Sequence, residues 1–174
     1  MIETEREPSR RTPGTIEFER HRGVSHLTVR DSVSHMGVPA ADPATDMAQV
    51  FRVIAEAGVN TYLIKIHEGL IAFAMDRGDL DAVVSALTAA GYDVRSEEEC
   101  SIVSTVARSM RDMSGVMARI MGALTSAHVD VRELADSYNS VSCLVRRGDR
   151  DKAISALSGE FGVRLREPTH EDPW

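Results

Sequence analysis

Apolar and polar positions alternate from Val24 to Val29, the period-two pattern of a half-buried strand. Ser32-Val-Ser-His-Met36 predicts a following strand, and Pro39 to Thr45, with two prolines and small residues, predicts a loop. Met47, Val50, Phe51, Ile54 and Ala57 then fall at i, i+3, i+4, i+7 and i+10, one stripe of a helix with Thr45 as N-cap, Asp46 in its first turn and Gly58 as its stop. Strand runs Val59 to Ile66 and Leu70 to Met75 are joined by His67-Glu-Gly69, where Gly69 can take positive φ, and Ile71, Phe73 and Met75 share a face. A second helix starts at Asp79, turns Leu80, Val83, Val84 and Leu87 inward and ends at Gly91. Tyr92 to Ser96 predicts a short last strand before the acidic link Glu97-Glu-Glu99.

The pattern is then written again. Arg77-Gly-Asp-Leu-Asp-Ala-Val-Val-Ser-Ala-Leu87 returns as Arg147-Gly-Asp-Arg-Asp-Lys-Ala-Ile-Ser-Ala-Leu157, a shift of 147 − 77 = 70 positions. The same register carries Met47-Ala48 to Met117-Ala118, Val50 to Ile120, Ala57 to Ala127 and Val59 to Val129. The second copy therefore reads strand Ser101 to Ala107, a helix opened by Ser114-Gly115, strands Val129 to Ala135 and Val141 to Val145, helix Asp149 to Leu157 and strand Gly162 to Leu165. One-sided helices beside alternating strands make an α+β two-layer sandwich, and the order βαββαβ predicts two ferredoxin-like modules in tandem. The boundaries expected are a disordered leader at 1–21, a first module at 22–98, a second at 99–167 and a tail at 168–174 that carries Trp174. The lead-in strand at 23–30 is free to pair with the second module. Modules this small are expected to pack on each other or on a second chain.

Composition narrows the function. Hydrophobic residues make up 43% and aromatics only 5%, so aliphatic side chains and methionine must fill the core. A net charge of −7 argues against a nucleic-acid binder, which needs a basic face. Cys100 and Cys143 lie in apolar strand runs and read as buried thiols in a reducing compartment. No run has membrane-span length and the N-terminus has no signal-peptide core, so no membrane contact and a cytoplasmic location are expected. The six histidines show no zinc spacing, and there is no P-loop or nucleophile elbow. No metal, no cofactor and no catalysis by this chain alone are predicted. The two Arg-Gly-Asp triplets are strand-to-helix junctions with Asp79 and Asp149 as caps.

Candidate binding chemistry starts at the helix tips. Unsatisfied N–H groups there suit a carboxylate, offered by Thr45, Asp46 and Met47 in the first module and by Gly115, Val116 and Met117 in the second. Asp42, in the loop just before, has the charge to accept an α-ammonium, and Asn60 and Tyr62 begin the adjoining strand. Each has a plainer reading: Asp42 before Pro43 is turn chemistry, Thr45 and Asp46 are caps, and Asn60 ties a turn.

Ala57-Gly-Val-Asn60, Ser140-Val-Ser142, Val106 through Met110-Arg111 to Gly115-Val116, and Gly37-Val38-Pro39 resemble the tandem ACT domains of aspartokinase regulatory regions. The resemblance covers residues 23 to about 166. It implies a regulatory module that binds an amino acid of the lysine or threonine class at an ACT–ACT interface, usually between chains, and controls an attached or associated kinase or biosynthetic enzyme. It further implies a homodimer, and contact positions at Asp136 and Ile66. Asp136 is as readily a solvated edge residue. Three departures bear on the effector. The stretch Gly37 to Thr45 is longer than the family's turn and lacks its closing glycine; Ala107 and Ser109 replace glycines; and Ile66 stands where threonine-sensing relatives carry glutamine. They motivate the alternative of an ACT-fold interaction or dimerisation module that has lost its effector.

Overall fold

The computed structural model describes residues 23–110 and 113–167. The predicted leader and tail, with Trp174, lie outside that range. Among the described residues the chain runs β1 (Val24–Pro39), α1 (Pro43–Glu56), β2 (Thr61–His67), β3 (Leu70–Asp76), α2 (Leu80–Ala89), β4 (Arg95–Ala107), α3 (Val116–Ser126), β5 (Val131–Asp136), β6 (Ser140–Arg146) and α4 (Arg150–Phe161). The strands form one sheet in the order β2-β3-β1-β4-β6-β5, with every neighbouring pair antiparallel.

Two long strands at the centre replace what the alternation read as four. The runs 24–29 and 32–36 are one strand, β1, bent at Ser32, whose φ of 57° lies in the left-handed region. Of the predicted last strand of the first copy, Tyr92 to Val94 form no strand, while Arg95 and Ser96 run on through the acidic link into the first strand of the second copy as one strand, β4. The link is not a linker because Glu97 finds partners: Arg146 Nε donates to Glu97 Oε1 at 2.5 Å and Arg132 Nε donates to Oε2 at 2.9 Å.

The pairing of β1 with β4 carries the repeat into space. Thr28 faces Ser104, Val29 faces Val103, Arg30 faces Ile102 and His35 faces Glu97, each pair summing to 132 in residue number. A two-fold relation with a 70-residue shift places its axis between Asp31 and Ser101 (31 + 101 = 132; 101 − 31 = 70), and these two residues touch, Ser101 Oγ donating to Asp31 Oδ1 at 2.7 Å. On one side β2, β3, the later part of β1 and the start of β4 lie in that order. On the other, β5, β6, the later part of β4 and the start of β1 repeat it. Gly162 to Leu165 does not form a strand; Leu165 makes a single parallel bridge to Leu27.

Each half has its own core. Met36, Val38, Ile71, Phe73 and Met75 pack with Val50, Ile54, Leu80, Val83 and Leu87 from α1 and α2. Leu27, Val29, Val103, Val141, Cys143 and Val145 pack with Ile120, Leu124, Ala153 and Leu157 from α3 and α4. Strand alternation turns the intervening residues to the opposite sheet face, and there Val33, Ala74, Cys100, Ile102 and Leu144 form a third cluster with Tyr62 and Leu63 against it. That face is buried because the sheet curls, bringing its two edges, β2 and β5, into contact.

Helix starts differ from the sequence reading. α1 begins at Pro43, two residues before the predicted cap, and the Asp42 carbonyl accepts the first helical bond from Asp46 N–H at 2.8 Å. Proline costs nothing at that position because its missing N–H would have had no partner. Asp79 and Asp149 occupy the N-cap positions of α2 and α4 but make no side-chain capping bond. A 3-10 turn precedes each, leaving the aspartate in helical conformation, and Asp149 instead accepts from Lys152 Nζ at 2.8 Å.

Candidate functional site

Where the sheet edges meet, a cleft of about 380 Å³ opens between the first residues of β2 (Thr61, Tyr62, Leu63) and the end of β5 with the start of β6 (Ala135, Asp136, Ser137, Ser140, Ser142). Local backbone irregularity shapes its β2 wall. The pairing of β2 with β3 slips between Tyr62 and Lys65, and Leu63 at the slip has φ of 50°. This bulge turns both Tyr62 and Leu63 against the third cluster.

The opposite wall is a tight serine turn. Ser137 N–H donates to the Ser140 carbonyl at 2.8 Å, Ser140 N–H donates to Ser137 Oγ at 3.1 Å, and the two hydroxyls lie 2.8 Å apart. Ser142 Oγ lies 2.8 Å from Ser104 Oγ. Asp136 sits exposed at the rim.

Tyr62 is held from behind. Arg30 Nη2 donates to Tyr62 Oη at 2.6 Å, Tyr62 Oη donates to Asp76 Oδ2 at 3.0 Å, and Arg30 reaches both Asp76 oxygens at 3.0 and 3.1 Å. The guanidinium also lies 4.3 Å from the ring centroid. Burial, then the hydrogen bond to Asp76, push the Tyr62 phenol above its ordinary pKa, so it is protonated and fixed as a donor. Next to Arg30 in sequence, Asp31 accepts from Arg150 Nε at 2.8 Å as well as from Ser101. Burial alone would raise the Asp31 carboxyl, but Ser101 and Arg150 outweigh it and hold the group below its usual range. The bend of β1 is thus anchored to both halves.

Of the residues singled out from sequence, the cleft brings together Tyr62 and Asp136, one from each copy. Asp42, Thr45, Asp46 and Met47 sit at the start of α1, beside the β2–β3 turn, where Ala40 N–H donates to the Gly69 carbonyl at 3.0 Å. Seven residues of β2 separate that end from the cleft, about 20 Å of strand. Asn60 is exposed on the loop entering β2, and Ile66 lies toward its far end at 50% exposure. Within one chain, therefore, the helix-tip residues and Tyr62 do not share a ligand.

The tip of α1 is also internally satisfied. Thr45 Oγ1 donates to Asp42 Oδ2 at 2.8 Å, and Asp46 accepts from Asp42 N–H at 3.1 Å and from Tyr92 Oη at 3.4 Å. Two of its own carboxylates already occupy the positive end of this helix dipole. Met47 is half-buried against the first core. In α3, Gly115 holds the N-cap position with φ of 76° and no side-chain cap, and Val116 N–H donates to the Met113 carbonyl.

Sequence reasoning passed over Arg30, Asp31 and Asp76. The repeat register contained the signal for Asp31, since a residue and its own copy that meet across a two-fold must lie at the axis. Among the described residues no group of three His, Cys, Asp or Glu side chains could hold a metal ion, and no helix is long and apolar enough to cross a membrane.

The ACT domain family matches residues 95–159. The chain is 31% identical over 153 residues to the aspartokinase of Mycolicibacterium smegmatis, a match covering 81% of this chain and 36% of that protein. It thus spans about a third of the length of the curated relatives it matches. The ligand-free regulatory subunit of aspartate kinase from Thermus thermophilus superposes with a TM-score of 0.74 at 19% identity, over 80% of this chain and 99% of that one. Aspartokinase III of E. coli, in complex with lysine and aspartate, superposes with a TM-score of 0.67 at 19% identity, over 82% of this chain and 34% of that one. Residues 95–159 thus match the ACT domain family, and over most of its length the chain is similar in sequence to part of an aspartokinase and in fold to an aspartate kinase regulatory subunit.

Proposed function

We propose that this chain is an amino-acid-sensing regulatory module made of two ferredoxin-like ACT units in tandem, at 22–98 and 99–167, which binds an effector of the lysine or threonine class where ACT units meet. The observation that carries the reading is the repeated strand order about an axis at Asp31 and Ser101, with a cleft of mixed polar and apolar lining where the outer strands converge. The similarity to aspartokinase regulatory regions supports an aspartate kinase as the controlled enzyme. A complex of E. coli aspartokinase III with lysine supports the effector class. Thermal denaturation of the purified chain with each of the twenty amino acids tests the proposal. A saturable rise in Tm with one or two of them is expected, and no shift with any at millimolar concentration contradicts it.

One observation favours a second reading, an ACT-fold dimerisation module without an effector. Ile64 and Ile66 are 46% and 50% exposed on β2, an edge strand. This reading predicts a dimer whose dissociation constant is unmoved by lysine or threonine; a shift of that constant with either removes it.

A further inference from the structure

We propose that β2 is a two-state strand. The Arg30–Tyr62–Asp76 network holds its bulge in a strained position, and release of that network moves the bulge by one residue, to the position that its repeat, β5, already occupies. Nothing in this depends on which effector, if any, the chain binds.

The two copies of the module place the same irregularity differently. Both strands begin alike, with Thr61 facing Met75 in one and Val131 facing Val145 in the other. At the far end of β2, Lys65 faces Ala72, Ile66 faces Ile71 and His67 faces Leu70. Carried on unbroken, that register would set Leu63 opposite Ala74. Ala74 instead faces Tyr62, and Leu63 takes up the mismatch with φ of 50°. In β5 the corresponding register does run on: Ala135 faces Ser142, Leu134 faces Cys143, and Glu133, the counterpart of Leu63, faces Leu144, the counterpart of Ala74. The slip there falls at Arg132, one residue earlier, and among the described residues of β5 none has a positive φ. A left-handed backbone crowds the Cβ of a leucine against the following carbonyl, so the β5 arrangement is the unstrained one for this module.

Side chains outside the strand explain why β2 keeps the costlier form. Asp76 stands two residues from Ala74, on the same face of β3, which sets its carboxylate beside a tyrosine paired with Ala74. Tyr62 Oη donates to Asp76 Oδ2 at 3.0 Å and accepts from Arg30 Nη2 at 2.6 Å, with the guanidinium over the ring. The second copy has no such network. Cys100, Arg132 and Arg146 stand at the corresponding positions, and both arginines donate to Glu97. Strain held by its surroundings, with a relaxed alternative one residue away, makes a bistable element. Tyr62 and Leu63 both line the cleft opposite Asp136 and Ser137, so the position of the bulge sets the shape of that wall. Arg30 is joined through the backbone to Asp31, which accepts from Ser101 and Arg150 of the other half, so a shift of α4 against β1 bears on the network.

The test is NMR of the full chain as wild type, as Tyr62→Phe and as the double variant Tyr62→Phe with Leu63→Gly. The first substitution keeps a ring against Arg30 but removes the hydroxyl that joins Arg30 to Asp76. The wild type should show a strong intraresidue HN–Hα NOE at Leu63, the mark of a positive φ, and cross-strand NOEs between residues 62 and 74. In Tyr62→Phe the Leu63 NOE should weaken. The cross-strand NOEs to Ala74 should pass from residue 62 to Leu63, wholly or as a second set of peaks in exchange with the first, while Lys65 stays opposite Ala72. Glycine takes a positive φ freely, so the double variant should return to the wild-type register. Wild-type register kept in Tyr62→Phe would overturn the proposal. So would loss of the Lys65–Ala72 pairing, which means local unfolding and not a one-residue move. A double variant that stays in the moved register would overturn the part assigned to strain at Leu63.

Discussion

His35 lies between the halves, its Nε2 3.3 Å from Glu133 Oε1 across the curl of the sheet. That contact lacks hydrogen-bond geometry, which leaves the buried nitrogen without a partner, and a neutral ring makes no ion pair. Burial lowers the His35 pKa more than Glu133 and Glu97 raise it, with Arg132 adding a further downward push. The folded state therefore binds this proton less readily than the unfolded chain. Stability from His35 is complete above about pH 6.5 and falls as the pH drops below it. Asp31, Glu97 and Asp149 are all held below their usual values, so their losses begin only under about pH 4.5. The melting temperature should decline between pH 7 and pH 5, and His35→Gln should flatten that decline; an unchanged slope would refute the assignment.

The thiols have the opposite character. Burial pushes Cys100 up to about 11 and Cys143 up to about 12. Neither should react with DTNB in the native protein at pH 8, and both should react in guanidinium; fast native labelling of either contradicts their placement. Their burial was legible from the apolar runs around them. The approach of Glu133 to His35 was not, because Glu133 is 98 positions away (133 − 35) and is brought there by sheet curvature, which no local pattern encodes.

Among the elements, the helices and the β2–β3 hairpin were read nearly as they stand, since a stripe at helical spacing or an alternating run is a local signal. Gly69 adopts φ of 77° as that hairpin requires, and its carbonyl accepts from Ala40 N–H. Gly69→Ala should therefore cost about 1–2 kcal/mol in urea unfolding, and no loss would mean that the turn relaxes freely. The errors came where neighbours decide. Glu97-Glu-Glu99 looks like a linker until Arg132 and Arg146 are beside it, and Thr45 is a better cap than Asp42 only if Pro43 is denied a place in the helix. Tyr62 and Asp136 were legible as candidates but not as neighbours, since the approach of β2 to β5 depends on the bend at Ser32 and the small inner face at Ala72 and Ala74.

At the scale of the whole molecule, the two edges of the sheet are unlike. β5 carries Arg132 and Glu133, charges that discourage strand pairing, while β2 presents Ile64 and Ile66. We expect self-association through β2, giving light-scattering masses near twice the 19.0 kDa of one chain. Replacing Ile64 and Ile66 with lysine should return the chain to a monomer; a wild-type monomer at micromolar concentration would contradict the expectation. Each half also depends on its own core, and Phe73→Ala, at a site with no exposure beside Phe51, should cost about 3–5 kcal/mol of stability. The repeat itself was legible at this scale, but the order its strands take in one six-stranded sheet was not. The start of β1 pairs with the later part of β4, a long-range contact that no local pattern sets. Equilibrium dialysis against labelled lysine and threonine tests the sensing role most directly: saturable retention of at least one at a simple ratio to the chain is predicted, and retention that never exceeds that of free solution for either would contradict it.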